Sequence, residues 1–191
     1  MIPLLVALAE DPVWRVREKV ISQLPLLAQS FGKALFQEKL LPLYLGCFQD
    51  QVHAVRMTAT RCAELLTHNL GESWASAHLL PRLVELFSAD GSPYLQRITA
   101  LIGMRMLCVP GATTIGAEVL SHVLKGTQDS VPNVRAVAAN VLGDVGAAGV
   151  IASGVVRDSV QPALKELLTD KDSDVRYAAE LAFEKIEAAG L

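Results

Sequence analysis

An aspartate followed five residues later by a Val-Arg pair recurs four times along the chain: Asp11 with Val16-Arg17, Asp50 with Val55-Arg56, Asp129 with Val134-Arg135, and Asp170 with Val175-Arg176. A fifth copy, Asp90 with Gln96-Arg97, has lost the valine and gained a residue. The arginines stand at 17, 56, 97, 135 and 176, at intervals of 39, 41, 38 and 41. That is the period of a two-helix solenoid unit. Helix pairs of this size bury their apolar faces only against their neighbours. The repeat therefore fixes the architecture before any residue-level chemistry, and function belongs on a ridge rather than in a cleft.

A second marker keeps the same phase. Pro3, Pro42, Pro81 and Pro162 each precede the repeat's Asp by eight or nine residues, with Val119-Leu120 in that place in the fourth copy. A first helix bearing a proline, a short turn with Asp, and a second helix with Val-Arg in its first turns resemble the pattern of HEAT repeats. The resemblance implies an all-α solenoid of five HEAT repeats, a right-handed superhelix of antiparallel helix pairs. The repeats are expected at about 1–37, 38–76, 77–114, 115–156 and 157–191. Because Pro3 already sits at repeat position and no polar capping repeat precedes it, the array is read as part of a longer solenoid.

Apolar spacing sets the helices. Val13, Val16, Val20, Leu24 and Leu27 form one stripe at helical period, repeated by Val52, Val55, Ala59, Cys62 and Leu66, and again by Val175, Ala178, Ala182 and Ile186. Helix pairs are predicted at 1–9/13–29, 38–49/53–70, 78–88/94–109, 117–127/132–146 and 158–168/174–188. Pro12, Pro93 and Pro132 suit first helical positions, capped in two cases by Asp11 and Ser92, and Pro25 should kink its helix. The Gly- and Ala-rich stretch from Gly143 to Gly154 is expected to weaken its helix, lengthen the connection and move.

Composition narrows the partners. Of 191 residues, 51% are hydrophobic but only 5% aromatic, the formal net charge is −3, and the mean hydropathy is +0.35. Mild acidity argues against a nucleic-acid footprint, which needs clustered Lys and Arg. Cys47, Cys62 and Cys108 each lie inside a helical pattern and read as reduced, buried thiols. No apolar run is long enough to span a bilayer and no signal peptide or Asn-x-Ser/Thr site occurs, so a cytoplasmic location, with the nucleus open, is expected.

No catalytic constellation, cofactor motif or metal-ligand spacing appears. The chain therefore reads as non-enzymatic, without cofactor or metal. His53, His68, His78 and His122 fall at four different repeat positions, and His68 and His122 read as ordinary surface residues. On the helical wheel Arg17 lies at the rim of the core stripe, poised to pair. The HEAT resemblance implies a structural ladder between adjacent repeats made by Asp11, Arg17, Asp50, Arg56, Asp90, Asp129, Arg135, Asp170 and Arg176. Trp14 lies about 120° from the apolar centre of its helix, on a polar face with Glu18 and Ser22, and is expected to be exposed. Beside Arg15 at the turn end of a repeat, it has the composition of an interface anchor. Trp74 instead joins a stripe with Ala77, Pro81, Val84 and Phe87 and reads as core.

Several stretches carry a closer likeness. Trp14-Arg15-Val16-Arg17-Glu18-Lys19 followed by Leu24-Pro25-Leu26-Leu27-Ala28, then Phe36-Gln37-Glu38-Lys39-Leu40, Gly71-Glu72-Ser73-Trp74-Ala75 and Tyr94-Leu95-Gln96-Arg97-Ile98-Thr99, resemble in order the C-terminal HEAT repeats of the scaffold (A) subunit of protein phosphatase 2A. The resemblance implies a scaffold whose last repeats hold the phosphatase catalytic subunit along the intra-repeat turns, while earlier repeats, missing from this chain, bind a regulatory subunit. It implies partner contacts at Trp14, Arg15, Val52, His53, Tyr94, Gln96, Arg97, Val131, Asn133, Asp174 and Tyr177. Gln96 stands where the family pattern has His, and the stretch from Gly143 to Gly154 departs from it. A tubulin-binding HEAT array of the TOG type is the rival. It expects cationic later turns, whereas Gln51-Val52-His53, Ser130-Val131-Pro132 and Asp172-Ser173-Asp174 are apolar to acidic.

Overall fold

The computed structural model describes residues 2–191, which fold into helices joined by turns, with no strand among the described residues. They group into two compact units, Met1–Arg82 and Leu83–Leu191. The first holds α1 (Ile2–Ala9), α2 (Trp14–Phe31), α3 (Lys33–Lys39), α4 (Leu41–Gly46) continued by a 3-10 turn at Cys47–Gln49, α5 (His53–Leu70) and α6 (Glu72–His78); the chain passes out of it within α7 (Leu80–Ser88). The second holds α8 (Tyr94–Leu107), α9 (Thr113–Gly126), α10 (Pro132–Ala147), the single turn α11 (Ser153–Val155) running into a π-helical turn at Val156–Val160, α12 (Gln161–Leu167) and α13 (Ser173–Ala188).

In the first unit the core lies between α2 and α5. Val20, Ile21, Leu24 and Ala28 of α2 face Val55, Ala59, Cys62, Ala63 and Leu66 of α5. The expected α2 stripe is therefore rotated: Val13 caps the helix and is half exposed, and Ile21 and Ala28 replace Val13 and Leu27. Tyr44 is fully buried beneath them and its hydroxyl donates to Ala59 O at 2.7 Å, tying a first helix to its second. Pro12 and Pro93 lie before their helices rather than at the first helical position, whereas Pro132 does open α10.

Pro25 does not end α2, which runs through it to Phe31. Proline has no N–H for the carbonyl four residues back. The Cys62 thiol answers that lack, donating to Ile21 O at 3.4 Å from the neighbouring repeat. Burial pushes the Cys62 thiol up to about 12, so it remains a neutral donor at physiological pH. At the far ends of α2 and α5, Gly32 and Gly71 turn the chain with φ of 80° and 94°, conformations open to glycine. Each opens a short helix, α3 or α6, that the apolar period alone does not reveal.

The Trp74 stripe divides at Leu79, where α6 ends and α7 begins, so Ala77 and Pro81 are exposed. Trp74 itself is 2% exposed and stacks on Phe36 at 6.0 Å and His78 at 5.4 Å, with its indole N–H unpartnered.

In the second unit α10 is central, packed on α8, α9 and α13. The glycines expected to weaken it do something else. A Cβ at Gly143 would lie 2.7 Å from Ala182 Cα and one at Gly146 would lie 3.2 Å from the Ile186 side chain. The helix runs on to Ala147, and the missing side chain at Gly143 lets it lie against the backbone of α13. The connection after it also buries Val150 and Ile151.

Candidate protein-interaction site

In four of the turns an aspartate builds the connection between the two helices. Asp11, Asp50, Asp129 and Asp170 each accept, through Oδ1, the N–H two residues on, from Val13, Val52, Val131 and Asp172, at 2.7–2.9 Å. An aspartate side chain bonded in this way folds the turn locally. The second helix then starts with Trp14, His53, Pro132 or Ser173 facing the turn end.

The repeating arginines lock these turns to one another. Arg17 donates through Nε and Nη2 to both oxygens of Asp50 at 2.8 Å, and through Nη1 to Asp11 O in its own turn at 2.8 Å. Arg135 does the same with Asp170 and with Asp129 O. Arg56 and Arg176 bond their own turns at Asp50 O and Asp170 O. Bidentate pairs of this kind are strong and fix geometry.

Two assignments change. Arg97, which the resemblance places among the partner contacts, is committed to the ladder, reaching both Asp129 oxygens at 2.7 and 2.9 Å and Ser92 O. Asp90 is exposed and holds no ion pair among the described residues; the extra residue in its turn shifts the main-chain acceptor to Ser92. The Arg17 hydrogen bond holds the Asp50 carboxyl below its ordinary range, and the Arg135 hydrogen bond does so for Asp170. At Asp129 burial works upward, but the Arg97 and Val131 hydrogen bonds together outweigh it and the carboxyl again lies low.

With the ladder spoken for, the open side chains at the turn ends stand out. In the first unit these are Arg15 and His53, exposed, with Val52 partly covered. In the second, Tyr94 is 41% and Tyr177 61% exposed; Asn133 and Asp174 are open, and Gln96 and Val131 half-buried. Trp14 departs from the wheel reading, which treats a helix alone. Its polar-side flank faces α5, so the indole is half-buried and forms one wall of a groove of about 530 Å³. The groove is lined by Arg15, Glu18, Lys19 and Ser22 of α2 and by Thr58, Arg61, Cys62 and Leu65 of α5, with the Arg15 guanidinium 4.5 Å from the Trp14 ring centroid. Arg61 and Leu65 were not found from sequence. The available signal was Leu65, an apolar residue off the buried stripe and one turn beyond an arginine. His122, read as a surface residue, is half-buried with Nδ1 unpartnered, and its imidazole is held low by burial and then by Lys125.

Among the described residues no three His, Cys, Asp or Glu side chains gather as metal ligands, and no helix is long and apolar enough to cross a membrane. Residues 78–184 match a family model described as HEAT repeats, and residues 1–31 match a second described as HEAT repeat. The chain belongs to the HEAT-repeat family. Solved structures share the fold at low identity. Cex1p aligns at 17% identity with a TM-score of 0.69, over 99% of this HEAT-repeat chain and 36% of Cex1p, so the chain spans about a third of that protein. A designed armadillo repeat protein aligns at 17% identity, TM-score 0.55, over 95% of this chain and 80% of its own. Computationally designed armadillo repeat proteins for modular peptide recognition align at 18% identity, TM-score 0.53, with the same coverage. No curated protein matches the sequence. The HEAT-repeat chain is thus an all-α solenoid of the protein-interaction type.

Proposed function

We propose that this HEAT-repeat protein is a non-catalytic scaffold that holds the catalytic subunit of a protein phosphatase 2A-type serine/threonine phosphatase at the turn ends of its repeats, and that it works in the cytoplasm and nucleus. The observation that carries the reading is Trp14 with Arg15 over its ring at the first turn end, in the sequence context that resembles the phosphatase scaffold. An aromatic and an arginine, partly desolvated and held by packing, form the commonest type of interface anchor. Val52, His53, Tyr94, Gln96, Val131, Asn133, Asp174 and Tyr177 supply further contacts, while Arg97 contributes only by fixing its turn.

Capture of purified phosphatase catalytic subunit on the immobilised chain, with tubulin offered separately, tests the proposal. Catalytic subunit is retained, tubulin is not, and Trp14→Ala weakens retention by about 2 kcal/mol or more. Retention of tubulin alone refutes the phosphatase reading and favours a tubulin-binding array.

A further inference from the structure

Most of the arginines in the turns are saturated by carboxylates and carbonyls, which makes the cations around the Trp14 groove conspicuous. Among the described residues Arg15 lies over the Trp14 ring and makes no ion pair, Lys19 has no ion-pair partner, and Arg61 donates through Nε to Met57 O at 3.2 Å. The one carboxylate in the lining, Glu18, accepts a hydrogen bond from the Thr58 hydroxyl at 3.0 Å. Arg15 and Lys19 are one helical turn apart on α2, and Arg61 and Leu65 are one turn apart on α5, so two rows of side chains face each other across the cleft. Leu65 is 51% exposed, leaving an apolar patch beside Trp14. A chain of net charge −3 therefore gathers three cations against one carboxylate, beside two large apolar surfaces, at one groove.

We propose that this groove is a peptide-docking site for an acidic segment of a partner protein, whose carboxylates meet Arg15, Lys19 and Arg61 and whose intervening apolar side chain packs against Trp14 and Leu65. Charge complementarity selects the sign of the occupant. The apolar pair selects a peptide over a polyphosphate, which has nothing to bury there. The Glu18–Thr58 bond serves the same end by directing the sole acidic side chain of the lining onto α5. The site shares Trp14 and Arg15 with the phosphatase proposal but rests on the groove and its cations, which any partner with such a segment fits.

The test is a fluorescence-polarisation titration of the full chain with a short labelled peptide of repeated Glu-Glu-Leu, with its Lys-for-Glu counterpart, and with a single-stranded oligonucleotide. The acidic peptide binds saturably, and the lysine peptide binds at least about tenfold more weakly. Raising salt from about 0.05 to about 0.3 M weakens binding severalfold. Arg61→Glu and Lys19→Glu each cost about fivefold or more, Arg61→Lys stays within about twofold, and Arg157→Glu in the other unit changes nothing. All three positions are exposed, and circular dichroism on each of the four variants confirms that it is folded. Equal binding of the two peptides, preference for the oligonucleotide, no saturable binding at about 1 mM, or full binding by folded Arg61→Glu overturns the proposal. Capture of phosphatase catalytic subunit is scored separately. Capture without peptide binding removes this inference alone, and peptide binding without capture removes the phosphatase reading alone.

Discussion

Replacing Gly143 by alanine sets two forces of opposite sign against each other. Alanine is favoured over glycine inside a helix by about 1 kcal/mol. At this position, however, the new methyl would stand 2.7 Å from Ala182 Cα, 2.8 Å from its Cβ and 3.2 Å from its carbonyl oxygen. Two of these three are backbone atoms of α13, so no side-chain rotation relieves the clash and the helices must move apart. Overpacking of this kind costs about 1–3 kcal/mol, and the rigidity of the opposing atoms argues for the upper part of that range. The net expectation is a loss of about 1–2 kcal/mol, or roughly 2–8 °C in thermal midpoint for a chain of this size. Gly46 is the matched control: it closes α4 in helical conformation with nothing within 4 Å of its Cβ position, and Gly46→Ala should gain about 0.5–1 kcal/mol. Urea denaturation followed by circular dichroism reads both. A Gly143→Ala variant as stable as Gly46→Ala would mean that α10 and α13 do not touch through backbone.

Trp74→Ala should cost about 3–5 kcal/mol by emptying the space between Phe36 and His78, and Trp14→Ala, at a half-buried indole, clearly less, about 1–2 kcal/mol; calorimetry on both gives the ranking. Arg135→Lys cannot span Asp170 and Asp129 O together and should lose about 1–3 kcal/mol, against less than about 1 for Arg176→Lys, whose side chain bonds only its own turn; parallel denaturation curves give the ranking. Asp50, Asp129 and Asp170 are held below the ordinary carboxylate range, so their stabilisation is complete above about pH 4 and disappears as pH falls through their depressed values; Asp170→Asn should flatten the acid limb of a stability-versus-pH profile. A thiol reagent at about pH 8 should label the partly exposed Cys108 before Cys47 and Cys62, which burial pushes up to about 12, as peptide mapping would show.

The period of the Asp and Arg markers was enough to read the helix pairs, because one turn chemistry is used four times along the chain. What it could not carry was anything set by the neighbour. A wheel drawn on α2 places Trp14 in solvent, since the wheel has no α5 on it. The glycines of α10 read as weak helix formers until α13 lies against them. The third turn shows the limit of a motif: one inserted residue takes Asp90 out of the ladder, yet Arg97 keeps its partner in Asp129, so the basic half of the marker survives the loss of the acidic half. Arg61 and Leu65 escaped notice because neither belongs to the repeat marker, and their juxtaposition with Trp14 exists only once two helices are side by side.

The thiol bond from Cys62 to the carbonyl that Pro25 leaves open makes two distant positions a single unit of substitution. Removing the proline alone would free Cys62 to become any small apolar residue, since an amide at position 25 would again satisfy Ile21. Removing the cysteine alone would strand a carbonyl in the driest part of the first unit, a loss unrelated to the volume of one sulfur atom. The order of change therefore matters. A lineage can discard the proline first and the thiol second at little cost, whereas the reverse path passes through a weakened intermediate unless serine or threonine stands in. Alkylation or oxidation of Cys62 would trap the protein in the same weakened condition without any change of sequence.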